Sequence, residues 1–599
     1  MSATPSESER AAVDEFLGAP SSGWAGGARS ELDHHVALGG YHGAVETRHL
    51  LLPALQAVQG AIGWVSPGAL NYVCERLSVP PAEAHGVASF YALLALEKRP
   101  PRVAHVCEDV SCRTRGGREL LAALSGRDDV VPSPCLGQCD RSPAVLLQRA
   151  GEPDLSLWGA TPQNVIALLA GAPLIDPAPG HYGIPQSEYG SEQLRLLSRV
   201  GVVDPYSLDD YRAAGGYAGL ARALEMGPKS IIEEVKRSGI RGRGGAAFPM
   251  GIKWEAVAGT SSERLLVCNA DEAEPGTFKD RGLMEGDPFS LVESMTIAGY
   301  AIGASRSYLY IRGEYPRAAR HVAGAIEDAK AAGLLGENVL GSGFNFDIEI
   351  RMGGGAYICG EETALFNSIE GYRGEPRQKP PFPTEAGLFG LPTIVNNVET
   401  LINLPLILLE GGDAYASLGT AESTGIKLFC MSGDIALPGV YEVEFGTTLR
   451  QLIEMAGGPI EDIAAILLGG VAGSFVGPDL LDLPLTFEDT KAAGVSLGTA
   501  VVMPFGVSTD FEDLAMRIAA FFRDESCGQC VPCRVGTVRQ EEALHRIFAG
   551  APLDGVAGEF ELLSEINDAM RLGSICGLGH TAGSAIRSLM ELGLIGGTP

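Results

Sequence analysis

The chain has 599 residues, too many for one hydrophobic core and sized for about four domains. Its 45% hydrophobic content supports folded globular domains, and 45 Lys+Arg against 74 Asp+Glu leave a formal charge of -29. That charge argues against a nucleic-acid backbone or an anionic lipid surface as the main partner.

The opening stretch MSATPSESERAAVDEF is polar, without a basic flank and apolar core, so no secretory signal is read. No run of 18 uninterrupted apolar residues occurs, and LINLPLILLE near residue 401 is too short to span a bilayer. A cytoplasmic location is expected, where clustered cysteines serve as metal ligands or redox groups rather than disulfides. From 46 to 95, HLLLPALQAVQGAIGWVS and GALNYVCERLSV repeat apolar residues at helical spacing, so 1–98 is expected as a helical bundle. PRVAHVCEDVSC then reads as a strand, GRELLAALSG as a short helix and PAVLLQRAG as another strand, a compact α/β unit over 99–178. The Pro and Gly of GAPLIDPAPGHYGIPQSEYG mark a linker at 179–196. A glycine-rich α/β domain is expected at 197–423. TGIKLFCMSGDIALPGVYEVEFGTTLRQLIEMAGG opens a small β-rich domain at 424–506 with two strands, a helix and a turn. DFEDLAMRIAAFF and FELLSEINDAMRL return to helical periodicity at 507–599. The fold class is multidomain α/β.

ESCGQCVPC places Cys527, Cys530 and Cys533 within seven positions, although the chain has only 12 cysteines. Chance would produce C-x2-C-x2-C roughly 0.005 times at that frequency. The triplet, at a helix start or its preceding loop, suits three corners of a [4Fe-4S] cubane, with Cys576 of GSICGLGH as the fourth ligand; zinc is the alternative. A second set, Cys107 and Cys112 as C-x4-C and Cys135 and Cys139 as C-x3-C, offers two pairs for a [2Fe-2S] cluster, again with zinc as the alternative. Cys74, Cys268, Cys359 and Cys430 are isolated in apolar contexts and read as inert buried thiols.

SGIRGRGGAAFPMGIKW at 238–254 joins five glycines to two arginines and a lysine, a composition that lets backbone approach a phosphate and answers its charge. CNADEAEPGTFKDR, GGGAYICGEETAL, KPPFP and VNNVET add polar residues that are costly to bury unless they bind something.

RGRGGAAFP, CNADEAEPGTFKDR, GAYICGEETAL, GEPRQKPPFP, VNNVETL and ESCGQCVPCRVGT together resemble the NADH-oxidising flavoprotein subunit of respiratory complex I. Residues 46–147, with GVASFYALL and the two cysteine pairs, resemble its thioredoxin-like [2Fe-2S] companion subunit. The fusion is similar to the diaphorase (beta) subunits of soluble NAD-dependent formate dehydrogenases and NAD-reducing hydrogenases. The resemblance implies a thioredoxin-like [2Fe-2S] domain at 99–178, an FMN/NAD-binding domain at 197–423, a β-grasp (ubiquitin-like) domain at 424–506 and a helical [4Fe-4S] domain at 507–599. It implies FMN held by Gly242, Arg243, Gly244, Lys253, Asn269, Asp271, Glu272, Gly360, Glu361, Asn396, Asn397 and Thr400. NAD(H) is implied over the flavin near Phe248, Glu274, Glu362, Lys379 and Phe382, and Tyr357 is expected among the cofactor-binding residues. Three departures stand out: Ala273 replaces the family's usual Gly, Ala256 its frequent aromatic residue, and only 22 residues separate Cys112 from Cys135.

Nicotinamide exchanges two electrons as hydride and each cluster takes one, so a flavin must connect them. Glu272, Glu274 and Glu362, the acids placed at the reacting centre, are expected to orient cofactors and tune electrostatics rather than act as nucleophiles. The chain has neither [NiFe] cysteine pairs nor a pterin motif, so the substrate-oxidising centre is expected on a partner. The leading reading is the diaphorase subunit of a soluble NAD-dependent formate dehydrogenase, whose large subunit carries molybdenum or tungsten pterin and further clusters. A [NiFe] hydrogenase and the fused NADH-oxidising module of complex I are the alternatives, and a non-catalytic electron-transfer scaffold is a reading from another class.

Overall fold

The computed structural model describes residues 3–20, 47–174, 182–188 and 194–596. The parts of the expected N-terminal bundle at 1–2 and 21–46, of the α/β unit at 175–178, of the linker at 179–181 and 189–193, and of the C-terminal domain at 597–599 lie outside the described residues.

Helices Leu51–Ile62, Pro67–Leu77 and Pro81–Ala88 form where the apolar periodicity placed them, two of them entered by a proline at the first turn. A further helix, Glu7–Leu17, begins at a Ser6/Glu9 capping box that the reading of the polar N-terminus missed. Four strands follow in a mixed sheet of order β2-β1-β3-β4: β1 (Arg102–Cys107), β2 (Val130–Ser133), β3 (Ala144–Arg149) and β4 (Leu155–Trp158). β2 and β4 were not read from sequence; each is four residues long, too short for a clear pattern.

The central sheet, β7-β6-β5-β8, is wholly parallel: β5 (Leu265–Ala270), β6 (Arg306–Ile311), β7 (Asp347–Met352) and β8 (Thr393–Asn397). β5, β6 and β8 are buried along nearly their whole length, whereas the edge strand β7 mixes buried and exposed positions. Helix Pro288–Ile302 is buried at every position but Tyr300. The loops leaving the C-terminal ends of β5, β6, β7 and β8 gather at one edge, where open parallel sheets bind ligands.

A third sheet, β10-β9-β13-β11-β12, contains β9 (Ile426–Met431), β10 (Gly439–Glu444), β11 (Ile463–Leu468), β12 (Ser474–Val476) and β13 (Val501–Gly506), with helix Leu449–Met455 after β10 as the pattern predicted. The C-terminal region is helical: Phe511–Glu525, Val531–Phe548, Gly555–Gly573, Gly577–Thr581 and Ser584–Glu591. The described part of the expected linker is not loose chain. Tyr182 and Ile184 are buried, Gly183 C=O accepts from Val440 N–H at 2.8 Å, and Gln186 bonds both the N–H and the C=O of Glu442 on β10. Among the described residues no helix is long and apolar enough to cross a membrane.

Candidate functional site

β1 ends on Cys107, and the Asp109 carboxylate starts the next turn by accepting from Val110 N–H at 2.9 Å, which brings Cys112 back beside Cys107. Cys135 and Cys139 lie on the loop between β2 and β3, their sulfurs 3.5 Å apart. Cys112 Sγ meets Ser142 Oγ at 3.3 Å and Gly137 N–H meets Cys135 Sγ at 3.4 Å. All four thiols are buried. Contact with the Cys112 and Cys135 sulfurs, then burial, pushes the Cys107 thiol well up; the Cys135 sulfur and burial do the same to Cys139. Four soft donors turned on one another fit a [2Fe-2S] cluster.

The second set is gathered by helix starts. Cys530 is the N-cap of helix Val531–Phe548, Cys533 is in its first turn, and Cys576 is the N-cap of Gly577–Thr581. Ile575 N–H reaches Cys530 Sγ at 3.3 Å, and Ser526 Oγ is 3.3 Å from Cys533 Sγ. Burial pushes the Cys576 thiol up to about 12, with the Cys527 and Cys533 sulfurs adding to it. A Cβ on Gly579 would overlap Ser574 Oγ and come within 3.2 Å of Cys533 Cβ, so the site is shaped closely around its sulfurs. The four cysteines fit a cubane.

Between these sets a cavity of about 420 Å³ opens at the C-terminal edge of the central sheet. Gly244, Asn269, Asp271, Glu272, Glu274, Tyr357, Gly360, Glu361 and Asn397 line it, bringing together nine of the expected cofactor residues. Gly245, at φ +111°, turns the first loop over it in a conformation that side chains rarely adopt. Asn269 Nδ2 donates to Gly360 C=O at 2.9 Å, tying the β5 loop to the β7 loop. Asp271 Oδ2 and Thr499 Oγ1 are buried there with no protein partner. Orphaned polar atoms in a glycine-walled cavity call for a polar ligand, and FMN with its hydroxylated chain fits. Ala273 lines the cavity and is not among the residues of positive φ, so the alanine costs no backbone strain.

The acids differ in what they face. Burial pushes Glu274 up to about 7 although it accepts from Tyr357 Oη at 2.5 Å and Ala472 N–H at 2.8 Å. Glu272, also pushed to about 7 by burial, accepts from Thr277 Oγ1, Asp280 N–H, Arg281 N–H and Tyr315 Oη. Those four donors hold its carboxylate in place at the cavity wall. Outward from Glu361 runs a charge ladder. Lys379 Nζ bonds Glu361 at 3.0 Å and Glu362 at 2.8 Å, and Lys253 Nζ bonds Glu362 at 3.1 Å. Burial alone would raise the Glu362 carboxyl, but the two lysines outweigh it and hold it below the usual range.

Other expected residues stand apart from the cavity. The Arg243 side chain turns away to Thr424 C=O, Tyr415 Oη and the Phe445 ring, while its N–H donates to Thr400 Oγ1 at 2.8 Å. Gly242 N–H pairs with Phe248 C=O at 2.9 Å, and Asn396 Oδ1 accepts from Trp254 Nε1 at 2.9 Å. These contacts shape the loops instead of lining the pocket. Phe248 and Phe382 are 52% and 54% exposed, free to cover a planar ring, and Ala256 is exposed on helix Met250–Ala258.

Sequence reasoning missed the support beneath the cavity. Lys279 Nζ bonds Asp280 at 2.8 Å and Glu399 at 3.1 Å, and Lys427 of β9 bonds Glu399 at 2.6 Å, all of them buried. Lys279 and Asp280 belong to the segment CNADEAEPGTFKDR, whose polar density was the available signal. Also missed were Arg312 and Tyr315 of IRGEYP, where polar residues directly follow the apolar strand SYLYI; a strand-end loop of a parallel sheet pointed to them. The third sheet supplies a further unexpected wall through Gly469, Ala472 and Thr499, and the C-terminal region adds Leu578.

Family comparisons cover each of these regions. Residues 38–169 match the thioredoxin-like [2Fe-2S] ferredoxin family and 235–406 the Nuo51 FMN-binding domain. Residues 428–471 match the SLBB domain and 513–592 the NADH-ubiquinone oxidoreductase-F iron-sulfur binding region. The NADP-reducing hydrogenase subunit HndC of Solidesulfovibrio fructosivorans is 45% identical over 409 residues, 67% of this chain and 82% of that protein. The F subunit of NADH-quinone oxidoreductase from Aquifex aeolicus is 44% identical over 399 residues, 66% of this chain and 92% of that one. A chain in the crystal structure of air-oxidised NAD+-reducing [NiFe]-hydrogenase superposes with a TM-score of 0.76 at 32% identity, covering 92% of this chain and 93% of its own.

Proposed function

This chain belongs to the flavoprotein family that includes the F subunits of NADH-quinone oxidoreductases and their hydrogenase counterparts, and from that premise we propose that it is the diaphorase subunit of a soluble, cytoplasmic NAD-dependent formate dehydrogenase. It is an NAD-dependent flavin and iron-sulfur oxidoreductase, using FMN, [2Fe-2S] and [4Fe-4S]. The observation that carries the reading is one glycine-walled cavity flanked, in a single polypeptide, by two four-cysteine sets.

Cys107, Cys112, Cys135 and Cys139 hold the [2Fe-2S] cluster, and Cys527, Cys530, Cys533 and Cys576 the [4Fe-4S] cluster. FMN, when bound, divides the two electrons of a hydride into single electrons that clusters accept. Gly244, Gly360 and Asn397 shape its place. Glu274 and Tyr357 set the polarity at its edge, and Lys379 attracts the anionic dinucleotide while Phe248 and Phe382 cover it. The chain's task is to position the two rings at contact distance, because that placement governs hydride transfer.

The partner carries the oxidation of formate at a molybdenum or tungsten pterin centre. A second reading, hydrogen oxidation at nickel and iron, is favoured by the likeness over 93% of a chain from NAD+-reducing [NiFe]-hydrogenase. The test is native purification with metal analysis, and assay of the isolated chain. Expected are molybdenum or tungsten in the complex, NADH-driven ferricyanide or viologen reduction by the chain alone, and no formate oxidation without the partner. Nickel in the complex selects the hydrogenase, membrane-arm subunits select complex I, and a chain without diaphorase turnover leaves only an electron-transfer scaffold.

A further inference from the structure

Three residues of the flavin-binding domain grip both the [2Fe-2S] loop and the flavin loop at once. Arg312, on the turn after β6, donates from Nη1 to Glu272 C=O at 2.6 Å and from Nη2 to Cys135 C=O at 2.5 Å. Its Nε is fixed by Glu314 at 3.1 Å. Tyr315 Oη lies 3.2 Å from Glu272 Oε2 and 3.5 Å from Gly137 C=O. A Cβ on Gly137, at φ +65°, would overlap the Tyr315 hydroxyl, so the ring is seated directly against the cysteine loop. Arg281 gives its N–H to Glu272 Oε2 at 3.0 Å and its guanidinium to both Asp140 oxygens at 2.8 and 2.9 Å. Each of the three is only 2% exposed.

Every member of this set thus touches Glu272, whose neighbours Asp271 and Ala273 line the cavity, and also touches the segment from Cys135 to Asp140. A buried, densely hydrogen-bonded polar network holds its members in one arrangement. An arginine fork spans two acceptors in a fixed plane, which a lysine's single ammonium on a flexible stem cannot do. A ligand that settles the Asp271–Glu274 loop therefore settles Cys135 as well, and coupling between two sites is reciprocal.

We infer that Arg312, with Tyr315 and Arg281 beside it, is a positioning residue that transmits flavin occupancy to the [2Fe-2S] loop. This rests on reading the cavity as the FMN site and Cys107, Cys112, Cys135 and Cys139 as the [2Fe-2S] ligands. None of the three residues is a cluster ligand, and their work is to make two cofactor sites, contributed by two domains, respond together.

The test uses the full chain, reduced, with its EPR signal from the [2Fe-2S] cluster recorded after reversible removal of FMN and again after FMN is restored. In the wild type the signal's g-values shift with FMN. In Arg312→Lys the cluster signal persists but no longer shifts, and FMN, titrated by fluorescence quenching, binds about tenfold more weakly, as expected for losing one charge-assisted hydrogen bond. If Arg312→Lys yields no cluster, Tyr315→Phe keeps the ring, removes the hydroxyl, and is expected to diminish the shift. A wild-type signal insensitive to FMN, or a full shift retained in both variants, overturns the inference while leaving the cofactor assignment intact. A wild-type protein without any [2Fe-2S] signal overturns the assignment, and the inference with it.

Discussion

Glu274 is kept from water inside the flavin cavity, and its carboxyl is held near neutrality by burial against the pull of Tyr357 and Ala472. The unfolded chain ionises this acid near 4.5, whereas the fold resists ionisation until about pH 7. Below pH 4.5 both states hold the proton and nothing is lost. As pH climbs through that window the unfolded state gives up its proton first, so stability falls, by an upper bound of about 3 kcal/mol at pH 8. Glu274→Gln removes the term while its amide still meets Tyr357 and Ala472. Its melting temperature should therefore decline less than the wild type's between pH 5 and 8. An unchanged decline would place the pH dependence with Glu272 and Glu525, which burial also pushes to about 7. Both four-cysteine sets stood out in the sequence because seven of their eight members fall in tight C-x2-C-x2-C, C-x4-C and C-x3-C spacings. Lys279 and Arg312 did not, because their partners Glu399 and Cys135 lie more than a hundred positions away.

Among the elements, the two helix starts at the second cysteine set carry the most consequence. Cys530 and Cys576 are both N-caps, and at the shorter helix the Leu578 and Gly579 N–H groups favour negative charge on the Cys576 sulfur against its burial. Gly579 in the shorter helix has no room for a side chain, with Ser574 Oγ and Cys533 Cβ against it. Gly579→Ala should cost on the order of 1–3 kcal/mol through overpacking and push the two turns apart. Iron and EPR analysis would then find most of the [4Fe-4S] cluster lost while the [2Fe-2S] signal is unchanged; full [4Fe-4S] content would show that the turn can move. Helix Phe511–Glu525 leads into this site from the other one. Its Asp513 takes a two-pronged grip from Arg113 at 2.6 Å, and its Arg517 reaches Asp109 at 3.3 Å. The helix was legible as an apolar stripe, but its attachment to the [2Fe-2S] domain was not. Ion pairs across 400 residues of sequence leave no periodic trace.

For the molecule as a whole, the arrangement places the flavin cavity between two cysteine sets and predicts different fates for the two halves of the reaction. Cys530→Ser should abolish partner-linked NAD reduction and spare NADH oxidation by a dye that takes electrons from the flavin. Retention of partner-linked turnover would show that electrons leave by the other set. Composition, spacing and motif density in the sequence by themselves determined the multidomain α/β class, the two ligand sets, the glycine loops and the kinship with NADH-oxidising flavoproteins. These are local or additive properties, since a loop's glycines and a cluster's sulfurs keep their chemistry wherever the chain goes. Only the tertiary structure decided that the Arg243 side chain turns away from the cavity while the Glu272 carboxylate at its wall is held by protein donors, that Gly469, Thr499 and Leu578 complete that wall from two other domains, and that Gly183 and Gln186 are hydrogen-bonded to β10. A side chain's direction and its distant partners are set by how buried polar groups find mates across separate segments, and that matching exists only once the chain has folded.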